Sequence, residues 1–306
     1  MRGRDLVSID DFTPAELTAV LDRSADLKRR HRAGEPAPTL AGKTLAMIFE
    51  KPSLRTRVTF EVGMRHLGGG AVTLASADIQ LGTREGVPDV ARNLSRWVDA
   101  ILARTFAHRT VVDLAEAASV PVINGLSDWE HPCQALADLL TVHEHLGRLE
   151  GVRIAWVGDG NNVLHSLLLG AAKMGASVRA ATPAGYAPAA EIVRRAKEIA
   201  SGTGSTIAIT NDPHDAVPDA DIIYTDVWVS MGQEAQRAHR LRDFAGFQVN
   251  AALLRAAGGR PKVMHCLPAH RGEEITDEVL DGPSSIVLDQ AENRLHAQKG
   301  LLALIL

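Results

Sequence analysis

The sequence predicts an α/β protein built from two doubly wound parallel-sheet domains, with the active site in the cleft between them. Short apolar, β-branched runs alternate with helical patterns along the chain, as in parallel strands joined by helices. The runs form two groups, separated by a helix from about Pro132 to His145. Polar, chemically versatile residues stand just past several runs, where open α/β sheets bind ligands.

The first helix is marked by Thr13-Pro14-Ala15-Glu16, a capping box with proline at the first helical position, followed by Leu17, Val20, Leu21 and Leu27. Strands are expected near 44–49, 71–75, 99–103 and 120–124. After the central helix, Gly147 and the polar stretch 148–151 lead into strands near 152–157, 177–181, 206–210, 221–225, 262–266 and 285–288. A last helix from about Ala291 to Leu304 offers Leu295, Leu301 and Leu302 for packing. The expected domains are 1–148, completed by the returning segment 289–306, and 149–288. There is no repeat of the kind a solenoid requires.

With 306 residues, 45% of them hydrophobic and 23% charged, the chain can bury two cores. Its net charge of −4 provides no general attraction to nucleic acid or to a membrane. Met1 to Phe12 lacks an apolar signal-peptide core, so a cytoplasmic location is expected. Cys133 and Cys266 are too few for a disulfide framework and do not form a C-x-x-C pair.

The run Ser53-Leu54-Arg55-Thr56-Arg57 follows the apolar strand Thr44 to Phe49, with Ser53 as N-cap and Val58, Phe60, Val62, Met64 and Leu67 as the apolar face of a short helix. Two arginines in a first turn oppose the helix dipole unless an anion is shared with them, so the run predicts a bound anion. Simple solvation of both arginines is the alternative. Arg104, at the end of Ala100-Ile101-Leu102-Ala103, can meet the same anion. His131-Pro132-Cys133-Gln134 opens the central helix, and His131 and Gln134, three apart, can address one small polar ligand.

In the second group, Gly158-Asp159-Gly160-Asn161-Asn162 follows a strand and invites a dinucleotide reading. That reading fails because Val163 stands where glycine or alanine belongs, and the next strand ends in Thr182-Pro183 without the ribose-binding acid. The turn is expected to aim Asn161 or Asn162 into the cleft. Asp226, with Ser230, Met231 and Gly232 behind it, can hold an ammonium, or can serve as an N-cap. Cys266, in His265-Cys266-Leu267-Pro268, is a candidate contact at the reacting group or a small buried residue. Zinc is disfavoured: strand alternation would point His265 and Cys266 to opposite faces, and the spacing of a structural site is missing. A thiol nucleophile would need an adjacent base.

Taken in order, Ser53 to Arg57, Gln80, Arg104, His131 to Gln134, Asp159 to Asn162, Asp226 to Gly232, His265 to Pro268 and Arg294 resemble the transcarbamylase family in its ornithine-using form, over nearly the whole chain. The resemblance implies carbamoyl phosphate and L-ornithine as ligands, with no metal and no organic cofactor. It implies that the first domain, with the C-terminal helix, binds carbamoyl phosphate through Ser53, Leu54, Arg55, Thr56, Gln80, Arg104, His131, Gln134 and Arg294, with Arg57 supporting the loop. Gln80 would reach a neighbouring subunit's site, which implies a homotrimer or an assembly of trimers. The second domain would bind ornithine through Asn162, Asp226, Ser230, Met231, Cys266 and Leu267. The family's phosphate loop has threonine where this chain has Leu54; a backbone contact survives that change and a hydroxyl contact does not.

The implied chemistry needs a neutral amine, although an alkyl ammonium of this kind titrates near about 10.4. Asp226 and Cys266 would position the amine, Arg104 and His131 would stabilise the oxyanion, and Arg55 with the helix N-terminus would stabilise departing phosphate. Aspartate-specific relatives carry His-Pro-Leu-Pro in place of His265 to Pro268. Putrescine or N-acetylornithine as acceptor, and a silent anion-binding regulatory protein, are the alternatives.

Overall fold

The computed structural model describes residues 1–75, 79–230 and 232–306. Its chain divides into two compact units, Met1–Leu140 with Glu292–Leu306, and Thr141–Ala291.

In the first unit, β1 (Thr44–Phe49), β2 (Gly70–Ala75), β3 (Ala100–Arg104) and β4 (Val122–Leu126) form a parallel sheet in the order β2-β1-β3-β4. Side chains alternate across a strand. Ala46, Ile48, Ile101 and Ala103 share a cluster with Val90, Ala91 and Leu94 of α3 (Val87–Leu94) and with Val111 and Leu114 of α4 (His108–Ala117). Leu45, Met47 and Leu102 point the other way and are equally buried, so both faces of the sheet are covered. α1 (Pro14–Arg32) begins on the expected capping box, in which Glu16 N donates to Thr13 Oγ1 and Thr13 N to Glu16 Oε2.

In the second unit, β5 (Arg153–Val157), β6 (Ser177–Ala181), β7 (Ile207–Thr210), β8 (Ile222–Thr225) and β9 (Lys262–His265) form a parallel sheet in the order β7-β6-β5-β8-β9. α6 (Asn162–Lys173) is buried from Val163 to Lys173, His165, Ser166 and Lys173 included, which explains why most of its sequence is apolar. The segment 285–288, expected as a strand, contributes only a bridge between Ser285 and Val263. Three consecutive apolar residues, Ile286 to Leu288, do not distinguish strand from helix, and Val287 already belongs to α12 (Val287–Ile305).

Both sheets reverse direction once. Crossovers leave β1 toward β2 on one side and β3 on the other, and leave β5 toward β6 and β8. At such a reversal the loops after the two central strands separate and leave a crevice at their carboxyl ends. Each unit therefore has one position where a ligand site is built most readily. No helix among the described residues is long and apolar enough to cross a membrane.

Candidate functional site

In the first unit the reversal lies between β1 and β3, whose last residues, Phe49 and Arg104, are register partners. β1 leads through 50–54 into α2 (Arg55–His66). The N-cap position of α2 falls on Leu54, which makes no side-chain capping bond, and not on Ser53 as expected; Ser53, one residue earlier, still accepts from Thr56 N at 3.2 Å and steadies the first turn. Thr56, Phe60, Gly63 and Met64 are its buried residues. Val58, expected on the apolar face, is 48% exposed, and Leu54 is 73% exposed. Arg55 is half-buried and Arg57 exposed.

Arg104 is buried at the end of β3, where the pairing with β4 shifts register between Ala103 and Arg104. Its carbonyl accepts from Glu50 N, and Glu50 in turn accepts from Phe106 N, which ties the two crossover loops together. Lys51 stands over the Phe106 ring, and burial followed by the Arg104 charge lowers its pKa.

Beyond β4, Ser127 Oγ accepts from Trp129 N and Glu130 N and so folds the loop that delivers His131 to the start of α5 (Pro132–Leu146). Gln134 N and Ala135 N donate to the His131 carbonyl. Arg294, on α12, joins three elements: its Nη1 donates to Gln134 Oε1 at 2.6 Å and its Nη2 to Thr56 Oγ1 at 3.0 Å. Gln134 Nε2 donates onward to Asp138.

His131 is buried, and its pKa is pushed well below the usual imidazole value by burial first and then by Arg294, Arg104 and Arg55. These three guanidiniums all act on one neutral imidazole. Their field favours a small, strongly negative ligand. Gln80 is exposed at a φ of 43°, and the described residues show no hydrogen bond from its side chain to this group. Cys133 is buried, its thiol donates to the Asn124 carbonyl, and burial pushes its pKa to about 12. A thiol that holds its proton so firmly is a poor nucleophile.

In the second unit the reversal lies between β5 and β8, and Asp226 follows β8 directly. Its buried carboxylate is fixed by three donors: Asn161 Nδ2 to Oδ2 at 2.7 Å, and Val227 N and the Cys266 thiol to Oδ1 at 2.8 and 2.9 Å. Asn161 also caps α6, accepting from Val163 N and Leu164 N. Asn161 thus orients Asp226 from the cap position, and Asn162 is the first helical residue.

The glycine turn has its own structural purpose. Gly160 N donates to the Tyr186 carbonyl, and a Cβ at Gly160 would collide with the backbone of Tyr186, Ala187 and Pro188. Asp159 beside it is buried and ion-paired with Arg240, a partner sequence reasoning missed; burial nonetheless raises its pKa to about 6. Arg240 also donates to the Trp228 carbonyl.

β9 ends at His265, so the chain turns before Cys266, and the expected separation of these two side chains by strand alternation does not hold. Asp226, His265 and Cys266 each offer a ligand atom within 4.8 Å of the others. Both ring nitrogens of His265 are engaged, however: Leu267 N donates to Nδ1, and Nε2 lies 3.0 Å from Glu274 Oε1. Leu267 holds a φ of 56°, a conformation unfavourable for a branched side chain and pinned by that bond to His265. Ser230 is half-buried, with its N–H donating to Gln233 Oε1. Met231 lies outside the described residues.

The carbamoyl-P binding domain of the aspartate/ornithine carbamoyltransferase family matches residues 4–144, and that family's Asp/Orn binding domain matches 150–305. The ornithine carbamoyltransferase of Pyrococcus horikoshii is 54% identical over 306 residues, 100% of this chain and 96% of the relative. That of Anoxybacillus flavithermus is 53% identical, over 100% of this chain and 98% of its own. The solved structure of the Pyrococcus furiosus ornithine carbamoyltransferase superposes with a TM-score of 0.97 at 54% identity, covering 99% of this chain and 97% of that one.

Proposed function

The chain belongs to the aspartate/ornithine carbamoyltransferase family, and from that premise we propose that it transfers the carbamoyl group of carbamoyl phosphate to the δ-amino group of L-ornithine, giving L-citrulline and phosphate in arginine metabolism. The observation that supports the first half is the buried Arg294 fork that joins Gln134 to Thr56, together with the charges of Arg294, Arg104 and Arg55 that, after burial, lower the pKa of the buried His131. Carbamoyl phosphate presents a phosphate dianion and a carbonyl oxygen, and this group offers cations for the one and donors for the other.

Ser53, the Leu54 backbone, Arg55 and Thr56 are assigned to the phosphate, aided by the start of α2. Arg104, His131 and Gln134 are assigned to the carbamoyl group, and Arg294 adds charge while holding Gln134 and Thr56 in place. Gln80 is assigned to a neighbouring subunit's site in a homotrimer or an assembly of trimers, and the location is taken as cytoplasmic.

The acceptor half rests on the Asp226 carboxylate, oriented by Asn161, Val227 N and the Cys266 thiol. With Asn162, Ser230, Met231 and Leu267 it is assigned to ornithine. The neutral δ-nitrogen attacks the carbamoyl carbon, and Arg104 and His131 stabilise the charge that develops on its oxygen. The carbon–oxygen bond to phosphate then breaks. Phosphate leaves against Arg55 and takes up the amine proton.

Asp226→Asn tests the acceptor assignment. It should raise KM for ornithine or lower kcat while leaving the dissociation constant of carbamoyl phosphate unchanged. Equal losses for both ligands would remove Asp226 from the ornithine half.

A further inference from the structure

Within the first unit, α1, α2 and α12 enclose a second group of cationic and imidazole side chains, separate from the residues assigned above. α12 lies close against both partners: a Cβ at Gly300 would collide with Ser24 of α1, and one at Gly63 of α2 would sit 3.4 Å from Lys299 Cγ. At this junction is a cavity of about 340 Å³ whose walls include Leu27, His31, Pro36, His66, Leu67 and Lys299. That volume suits a small molecule.

Glu35 is the one carboxylate among the described residues that line the cavity, and it is drawn toward Arg30 at 3.6 Å. Lys299 is buried, and its ammonium has one long hydrogen bond, 3.4 Å to the Leu27 carbonyl. Among the described residues no carboxylate lies within ion-pair distance of it. The neighbouring acids are engaged elsewhere: Glu292 with Lys28, Arg32 and His296, Glu35 with Arg30, and Glu61 with Arg65. His31 stacks on His66 with 4.5 Å between ring centroids and lies 5.9 Å from His296.

The titrating groups respond in one direction. Burial holds Lys299 down at about 8. Burial, then His31, Lys299 and Arg65, lowers His66. Burial, then Lys299, Lys28, His31 and Arg32, takes His296 to about 3. A buried ammonium without a counter-charge is costly, and an anion brought beside it removes that cost.

We propose that this cavity binds a small organic anion, with its charged end against the Lys299 ammonium and the His31–His66 pair and its apolar part against Leu27, Pro36 and Leu67. The site does not depend on the proposed transfer reaction. It draws on the far ends of α2 and α12, the helices that also carry Thr56 and Arg294.

Calorimetric titration with butyrate, with butyramide as its neutral twin, tests the proposal. Butyrate should bind saturably in the millimolar range and at least about tenfold more tightly than butyramide. At pH 8 its binding should take up protons, read as a dependence of the heat on buffer, because the anion raises the Lys299 pKa. Lys299→Met keeps the stem and removes the charge, and should abolish the preference for butyrate. Arg55→Ala should leave butyrate binding unchanged even as it impairs use of carbamoyl phosphate, which separates this site from the catalytic proposal. Equal binding of the two probes, no saturable binding of butyrate, or loss of butyrate binding in Arg55→Ala would each overturn the assignment.

Discussion

Arg294 Nη1 and Gln134 Oε1 lie 2.6 Å apart although 160 residues of chain separate them. Through its other nitrogen, at 3.0 Å from Thr56 Oγ1, the same guanidinium ties the end of the chain to the first turn of α2. One side chain thus fixes two residues assigned to carbamoyl phosphate and adds its own charge. Arg294→Ala is expected to lower kcat/KM for carbamoyl phosphate by about a hundredfold, and Arg294→Lys to recover only a small part of it, because an ammonium lacks the planar fork that spans both oxygens. Steady-state kinetics at saturating ornithine measures this. Full recovery by lysine would reduce the role of Arg294 to charge alone.

His131 should not titrate in the neutral range. Its folded pKa lies well below the value of 6.5 expected once unfolded, so below that pH the unfolded chain binds a proton that the folded chain does not. Its contribution to stability is therefore present above about pH 6.5 and is lost as pH falls. The ring ¹⁵N shifts of His131 should stay constant from about pH 8 to about pH 6. A midpoint near the ordinary histidine value would show that the three arginines do not act on it.

Asp159 has the opposite linkage. Its folded pKa is raised from 3.8 to about 6, so across that window the folded state holds more protons than the unfolded state. Stability from this group falls as pH rises through the window and is level above it. Asp159→Asn should flatten that part of the curve, as read from the difference in urea midpoint between the two proteins at pH 4 and pH 7. Identical slopes would mean that Arg240 fully compensates the buried carboxylate.

Gly160→Ala should destabilise the second unit by about 2 kcal/mol or more, because the added methyl meets backbone atoms at 186–188 with no flexible side chain to yield. Chemical denaturation measures this. A loss within about 0.5 kcal/mol would show that the loop gives way.

Much of the architecture was legible because local signals and tertiary packing agree. The strand Thr44–Phe49 and the capping box at Thr13 and Glu16 are where periodicity and cap chemistry put them. Strand ends pointed to Arg104, His131 and Asp226 because ligand sites in parallel sheets sit there. Other features depend on partners distant in sequence. Nothing local pairs Asp159 with Arg240, or Asn161 with Asp226. Val58 was misassigned because α2 is short and its apolar residues do not define a single face. Residues 285–288 were misread because a strand and the start of a buried helix share the same apolar run.

The most direct measurement offers carbamoyl phosphate with L-ornithine, putrescine, N-acetyl-L-ornithine or L-aspartate separately, reading phosphate release and carbamoylated product together. The expected result is L-citrulline, formed with one phosphate per turnover, and a kcat/KM for ornithine at least about a hundredfold above that for any other amine. A different preferred amine would contradict the assignment of the second unit, and phosphate release without a carbamoylated product would contradict the transfer reaction itself.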